Sequence, residues 1–290
     1  MPGLNHSTTS EIHEVLEELY RKYNRFERIK PDPLQFVYRY CESRDMEIAG
    51  FLAAALAYGR VRQIERSVEN LLNRMGDSPF EFVVNFTDSA GKNLTGFKHR
   101  FNKAQDICEL LRILRGVLLQ HGSIEAYFAQ GLEGDQANVI DALSRFAGGL
   151  LRRYQRDTGT DPSKALQYLL ADPANGSCCK RLNLFLRWMV RHDDVDPGIW
   201  KSVDKAKLIV PMDTHMARLC RILGLYDTRT ASLATAVRIT EGFAALEPDD
   251  PVKYDFALSR IGIVEDCNGR YRPKCDECGL LELCRRRDSF

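Results

Sequence analysis

The sequence predicts an all-α protein, and three observations carry that expectation. Apolar residues recur three and four positions apart in one stretch after another. Ser, Thr or Asp stands at the head of several of these stretches, where a side-chain oxygen can cap a helix. No segment sustains the every-second-residue alternation of a strand, and no internal repeat is present.

Taken in order, Thr8 to Glu11 has the form of a capping box, and the helix behind it carries Ile12, Val15, Leu16 and Leu19. Pro31 and Pro33 mark a boundary, after which Leu34 opens a helix with Phe36, Val37 and Tyr40 facing inward. Residues 47–58 are apolar and small (Ala49, Gly50, Ala53, Ala54, Ala55, Ala57), as suits a central helix packed on several sides. Gly59 breaks it. Residues 60–75 resume a helix through Val61, Ile64, Val68 and Leu71, and Ser78-Pro79 opens a short one.

Residues 85–103 read as a loop. Helices are expected over 104–121, 123–129, 139–154 and 163–170, with a polar turn at 157–162. The Asp-rich run 193–207 is a connection, 231–246 a helix, Pro248 and Pro251 frame a turn, and 252–263 is the last long helix.

Between them lies the stretch 180–225. Pro211-Met212-Asp213-Thr214-His215, followed by Met216, Leu219, Ile222 and Leu223 on one face, reads as a helix whose first turn holds Asp213. A carboxylate there accepts backbone N–H bonds, feels the positive helix end and stays ionised. Upstream, residues 176–180 open a helix with Leu182, Leu186, Met189 and Val190 as its stripe. Lys180 then stands near a helix N-terminus, where an amine is easier to deprotonate. An amine and a carboxylate on two adjoining helix starts form a candidate catalytic pair; a surface lysine and a helix cap account for the same residues without chemistry.

Cys267, Cys275, Cys278 and Cys284 give C-x7-C-x2-C-x5-C. Four thiolates so close can surround a zinc ion or an iron–sulfur cluster. Zinc sites more often pair two C-x2-C knuckles, and only one is present, so the spacing favours a [4Fe–4S] cluster. The remaining cysteines lack such grouping, and Cys108 and Cys220 lie among apolar neighbours as small core residues.

Composition narrows the class without naming it. A net charge of +1 does not announce a nucleic-acid binder, although a local basic face suffices for one. The N-terminus is polar, without a charged lead into an apolar core, and no apolar run reaches membrane-spanning length. The expectation is a cytoplasmic monomer in a reducing compartment, away from the membrane.

Two features together resemble the helix-hairpin-helix DNA glycosylase superfamily, chiefly its endonuclease III-like iron–sulfur branch. One is Val210-Pro211-Met212-Asp213-Thr214-His215 leading to Ala217-Arg218-Leu219 and Leu223-Gly224-Leu225, similar to the segment that supplies that family's catalytic Asp. The other is the four-cysteine loop, whose family pattern is one residue shorter in the first gap. The family's short hairpin with its Lys is missing, and Asp193, Asp194 and Val195 occupy the window where that Lys would fall. Lys180, 33 positions before Asp213 and leading Arg181-Leu182, resembles instead the divergent archaeal 8-oxoguanine glycosylases. Lys201, Lys205 and Lys207 are weaker candidates. The whole is also similar to an uncharacterised bacterial family of predicted iron–sulfur proteins.

The resemblance implies two helical domains with a cleft between them and a C-terminal four-cysteine cluster loop. The first, 45–204, would be a helical barrel carrying the divergent hairpin; the second would join 1–44 to 205–290. It implies double-stranded DNA with a damaged base, an oxidised purine among the candidates, as substrate and a nucleoid-associated location. Asp213 would stabilise positive charge on a sugar whose base has been swung out, and Lys180 would form a Schiff base that permits strand nicking. Tyr58, Arg60 and Gln63, after the helix break, would fill the gap in the duplex. Arg187 and His215 would line the pocket, and Arg270, Arg272 and Lys274 would meet phosphates from the cysteine loop. Three other readings stay open: a glycosylase without strand cleavage, a non-catalytic iron–sulfur binder of DNA structures, and a zinc-stabilised helical interaction protein.

Overall fold

A computed structural model of the chain describes residues 6–226, 232–281 and 283–284. The chain is helical as expected. In order it forms α1 (His6–Tyr23), α2 (Ser43–Ala55), α3 (Val61–Met75), α4 (Pro79–Val84) and α5 (Asp88–Gly91). A two-stranded hairpin follows, β1 (Lys98–His99) and β2 (Asn102–Lys103). Then come α6 (Ala104–His121), α7 (Ile124–Ala129), α8 (Ile140–Thr158), α9 (Lys164–Leu169) and α10 (Lys180–Val190). The last are α11 (Thr214–Ile222), α12 (Leu233–Ala244) and α13 (Asp255–Ile263). Among the described residues no helix is long and apolar enough to cross a membrane.

Helix α2 is the central strut, and its composition explains why. Every residue from Glu47 to Ala57 is buried, and the small ones let neighbours approach closely. A Cβ on Gly50 would stand 2.9 Å from Met189 Cε of α10 and 3.3 Å from Val37 of the 3-10 segment Pro33–Arg39. Phe51 meets Phe185 of α10 edge to face at 5.2 Å, adding an aromatic contact to the apolar burial. Around α6 gather α4, α7, α8 and α9, while α13 packs on α1 and α11. Buried apolar residues join into one connected cluster from Ile12 to Leu280.

Several boundaries differ from the sequence reading. Helix α1 begins at His6, ahead of the Thr8 cap. The stretch 34–40 is a 3-10 segment, capped by Asp32, whose Oδ1 accepts from Leu34 N at 3.0 Å. It packs against α2 and α3, across the boundary drawn at residue 44. The expected loop 85–103 contains α5 and the hairpin. The hairpin is held because His99 and Asn102 are fully buried and bonded: His99 Nδ1 lies 2.8 Å from Ser67 Oγ of α3, and Asn102 Nδ2 donates to Ala165 O of α9 at 3.1 Å. Helix α12 starts at Leu233; Ala231, where the sequence reading began it, lies outside the described residues.

Candidate active site and cysteine cavity

Helices α10 and α11 bring Lys180 and Asp213 together. Asp213 is the N-cap of α11: its Oδ1 accepts from His215 N at 2.8 Å and from Met216 N at 2.9 Å, closing two of the orphan donors of the first turn. Lys180 is the first residue of α10, behind Cys179, which turns the chain in the left-handed region at φ 47°. Lys180 Nζ reaches Asp213 Oδ2 at 2.9 Å. Burial pushes the Asp213 carboxyl up, but the Lys180 ammonium and the Met216 N–H outweigh it and hold the acid below its ordinary 3.8. A thiol of the neighbouring loop adds a tie, for Cys178 Sγ donates to Met212 O at 3.6 Å.

This ion pair sits in the wall between two adjoining cavities. The larger, about 740 Å³, is lined by Tyr58, Gly59, Lys164, Tyr168, Asp172 and Arg181 besides the pair. The smaller, about 160 Å³, runs inward past Pro211, Met216, Ile64 and Leu184 to Asp255 and Arg187. His215 lines both, and its imidazole Nδ1 is 3.5 Å from Arg218 Nη2. A Cβ on Gly262 would come within 3.0 Å of His215, so that glycine lets α13 support the start of α11 closely.

Beneath the pair lies a buried ionic network. Arg187 pairs with Asp196 and Asp255; Arg191 pairs with Asp193, Asp196 and Asp250; Arg260 pairs with Asp32. Arg187 is only 1% exposed. Arg187 does line the inner cavity, but its guanidinium is held there by two buried carboxylates and is not offered to DNA, which corrects the expected DNA contact. Burial raises Asp196 to about 6 although both arginines pull it down.

The other expected contacts divide. Tyr58 is half-buried and lines the larger cavity, whereas Arg60 and Gln63 are exposed at the start of α3 and line neither cavity. Arg270 is exposed at the cysteine cavity. Arg272 and Lys274 share Asp266, at 3.0 and 3.9 Å, so part of their charge is already answered. Sequence reading missed Arg181, Tyr168, Lys164 and Asp255. Arg181 was visible as the neighbour of Lys180; the others carried no local signal, because only folding sets them around one opening.

Cys267, Cys275, Cys278 and Cys284 all line one small apolar cavity with Leu219, Ile222, Ile261 and Leu280. The cavity measures about 40 Å³, more than the roughly 10–15 Å³ that one water needs. Burial, and then the facing thiols of Cys267, Cys275 and Cys284, push the Cys278 thiol up. The remaining cysteines lie elsewhere: Cys108, Cys179 and Cys220 are buried, Cys178 is half-buried and Cys41 is exposed.

Fold and site together define a helical protein with an amine–carboxylate pair set in a cleft. The chain belongs to the family described as Protein of unknown function (DUF2400), whose model it matches over residues 32–264. That match takes in Lys180 and Asp213 and closes before Cys267. No curated protein and no solved structure matches the chain.

Proposed function

We propose that the protein is a DNA glycosylase that excises a damaged base and nicks the resulting site. One observation carries the reading: Lys180 Nζ and Asp213 Oδ2 are 2.9 Å apart, on two helix starts, beside a cleft of about 740 Å³. That space accommodates a nucleotide turned out of the stack, which glycosidic chemistry on duplex DNA requires. The cleft would separate two lobes, 45–204 and 1–44 with 205–290.

In this reaction Asp213, ionised, stabilises the charge that develops on the sugar as the base departs. Lys180 Nζ gives up a proton to water in the cleft, which frees its lone pair while Asp213 keeps its charge. The Nζ lone pair then bonds to C1′ while the C1′–base bond breaks, the base leaving with that electron pair and gaining a proton. Opening of the C1′–O4′ bond gives the Schiff base; loss of a 2′ proton expels the 3′ phosphate, and water releases the amine.

The four cysteines fit an iron–sulfur cluster better than a zinc ion. All four thiols line one apolar cavity, and their C-x7-C-x2-C-x5-C spacing holds one C-x2-C pair where zinc sites more often have two. A [4Fe–4S] cluster held by Cys267, Cys275, Cys278 and Cys284 would cross-link the end of α13 to the segment behind it and supply a one-electron redox centre.

Borohydride trapping tests the amine. Native protein mixed with duplexes carrying single lesions is expected to yield a covalent protein–DNA adduct, and Lys180→Ala to yield none. An adduct that persists in Lys180→Ala removes Lys180 from the role, and base release without any adduct selects a glycosylase that works through water.

A further inference from the structure

Beside the Lys180–Asp213 cleft stands a cluster of three aromatic rings and two guanidinium groups that the reaction above leaves unused. Tyr58 follows α2, Phe101 sits at the hairpin tip between β1 and β2, and Tyr168 belongs to α9. Their ring centroids are 5.5 Å (Tyr58–Phe101), 5.0 Å (Tyr58–Tyr168) and 4.8 Å (Phe101–Tyr168) apart. The Arg181 guanidinium lies 4.1 Å from the Tyr168 centroid and 5.1 Å from that of Tyr58; Arg100 lies 5.8 Å from Tyr58.

The cluster is fixed in place yet open to solvent. The Tyr58 hydroxyl is 2.5 Å from Asn102 Oδ1, and Asn102 in turn donates to Ala165 O, tying hairpin to α9. Arg181 donates to Ala55 O at 3.0 Å and also to Tyr168 O. Gly59, at φ 104°, leaves room for Arg100, whose Cδ would stand 3.0 Å from a Cβ there. Despite these ties Phe101 is 48% and Tyr168 41% exposed. Rigid aromatic faces turned to water beside a cleft are a recognition surface rather than core.

Charge decides the kind of partner. Lys98, Arg100, Lys103 and Lys164 are exposed around these rings, and among the described residues none of them is in an ion pair. A flat aromatic group carried on a negatively charged chain answers both features, which is a nucleobase on its phosphodiester strand. We propose that Tyr58, Phe101 and Tyr168 form a stacking platform that holds an unpaired base of the DNA strand at the mouth of the cleft. This rests on the DNA reading above and adds the second place where the strand is gripped.

Binding can be read without catalysis, using full-length Asp213→Asn protein and oligonucleotides that carry one 2-aminopurine, either unpaired in a duplex or fully paired. Stacking on the platform is expected to quench the unpaired probe. Phe101→Ala and Tyr168→Ala are each expected to weaken its binding roughly 5- to 150-fold, the range for losing one base–aromatic stack. Phe101→Leu, which keeps apolar bulk without a flat face, is expected to behave like Phe101→Ala, and all variants should keep the native helical circular dichroism. Native affinity and quenching in Phe101→Ala/Tyr168→Ala would overturn the platform and leave the DNA reading standing. If the parent protein binds none of the oligonucleotides, both fall.

Discussion

Replacing Asp213 in two ways separates its structural work from its chemical work. Asp213→Ala removes the acceptor for His215 N and Met216 N, and loss of such a cap costs about 0.5–2 kcal/mol. It also removes the ion pair with Lys180, whose side chains are 33% and 27% exposed, so solvent limits that contribution to roughly 0.2–1 kcal/mol. Asp213→Asn keeps the cap, because Asn caps about as well as Asp, and should lose only the smaller part. Base release from a lesion duplex is nevertheless expected to fall at least ~100-fold in both variants, about 2.7 kcal/mol of barrier. The urea unfolding curve measures the first quantity and single-turnover base release the second. Acid adds a sign. The folded-state acid is depressed below its ordinary 3.8, so its contribution is complete above that value and is lost as pH falls through the lower folded value. Asp213→Asn should therefore close its stability gap to the native protein only at pH below about 3.8. An Asn variant that releases bases at the native rate would refute the electrostatic role, and an Ala variant as stable as the native protein would refute the cap.

Three further outcomes follow from the same geometry. Arg187→Met leaves Asp196 and Asp255 buried without their shared cation and should cost about 3–5 kcal/mol in urea unfolding; a loss under ~1 kcal/mol would show that the network does not depend on it. Gly59→Ala meets both a positive φ and the Arg100 side chain, so about 1–2 kcal/mol should be lost in thermal unfolding, and an unchanged melting temperature would contradict that strain. Native protein purified without air should be brown with broad absorbance near ~400 nm, and Cys275→Ser should lose that colour while Cys41→Ser keeps it. A colourless native protein holding one zinc ion would end the cluster reading.

The sequence by itself determined the helical class, the Asp213 cap and the start of α10. Each of these is a local matter: a 3.6-residue apolar period, and a side-chain oxygen placed before free N–H groups. Spacing along one short segment likewise singled out Cys267, Cys275, Cys278 and Cys284. The 2.9 Å meeting of Lys180 with Asp213 belongs to another level, since 33 positions of chain separate them and only the packing of α10 and α11 closes that distance. Arg187 shows the same limit from the other side. Its place on an apolar helix does not reveal whether a charge faces solvent, and the answer came from Asp196 and Asp255, the latter 68 positions away. Phe101 and Tyr168 were silent in the sequence because Phe101 stands between polar residues and Tyr168 beside Leu169 and Leu170 reads as core, while their role comes from a surface that three distant segments build together. Local hydrogen bonds and periodicity can be read along a chain; which charges and rings share a cleft is decided by long-range packing, where sequence distance carries no information about spatial distance.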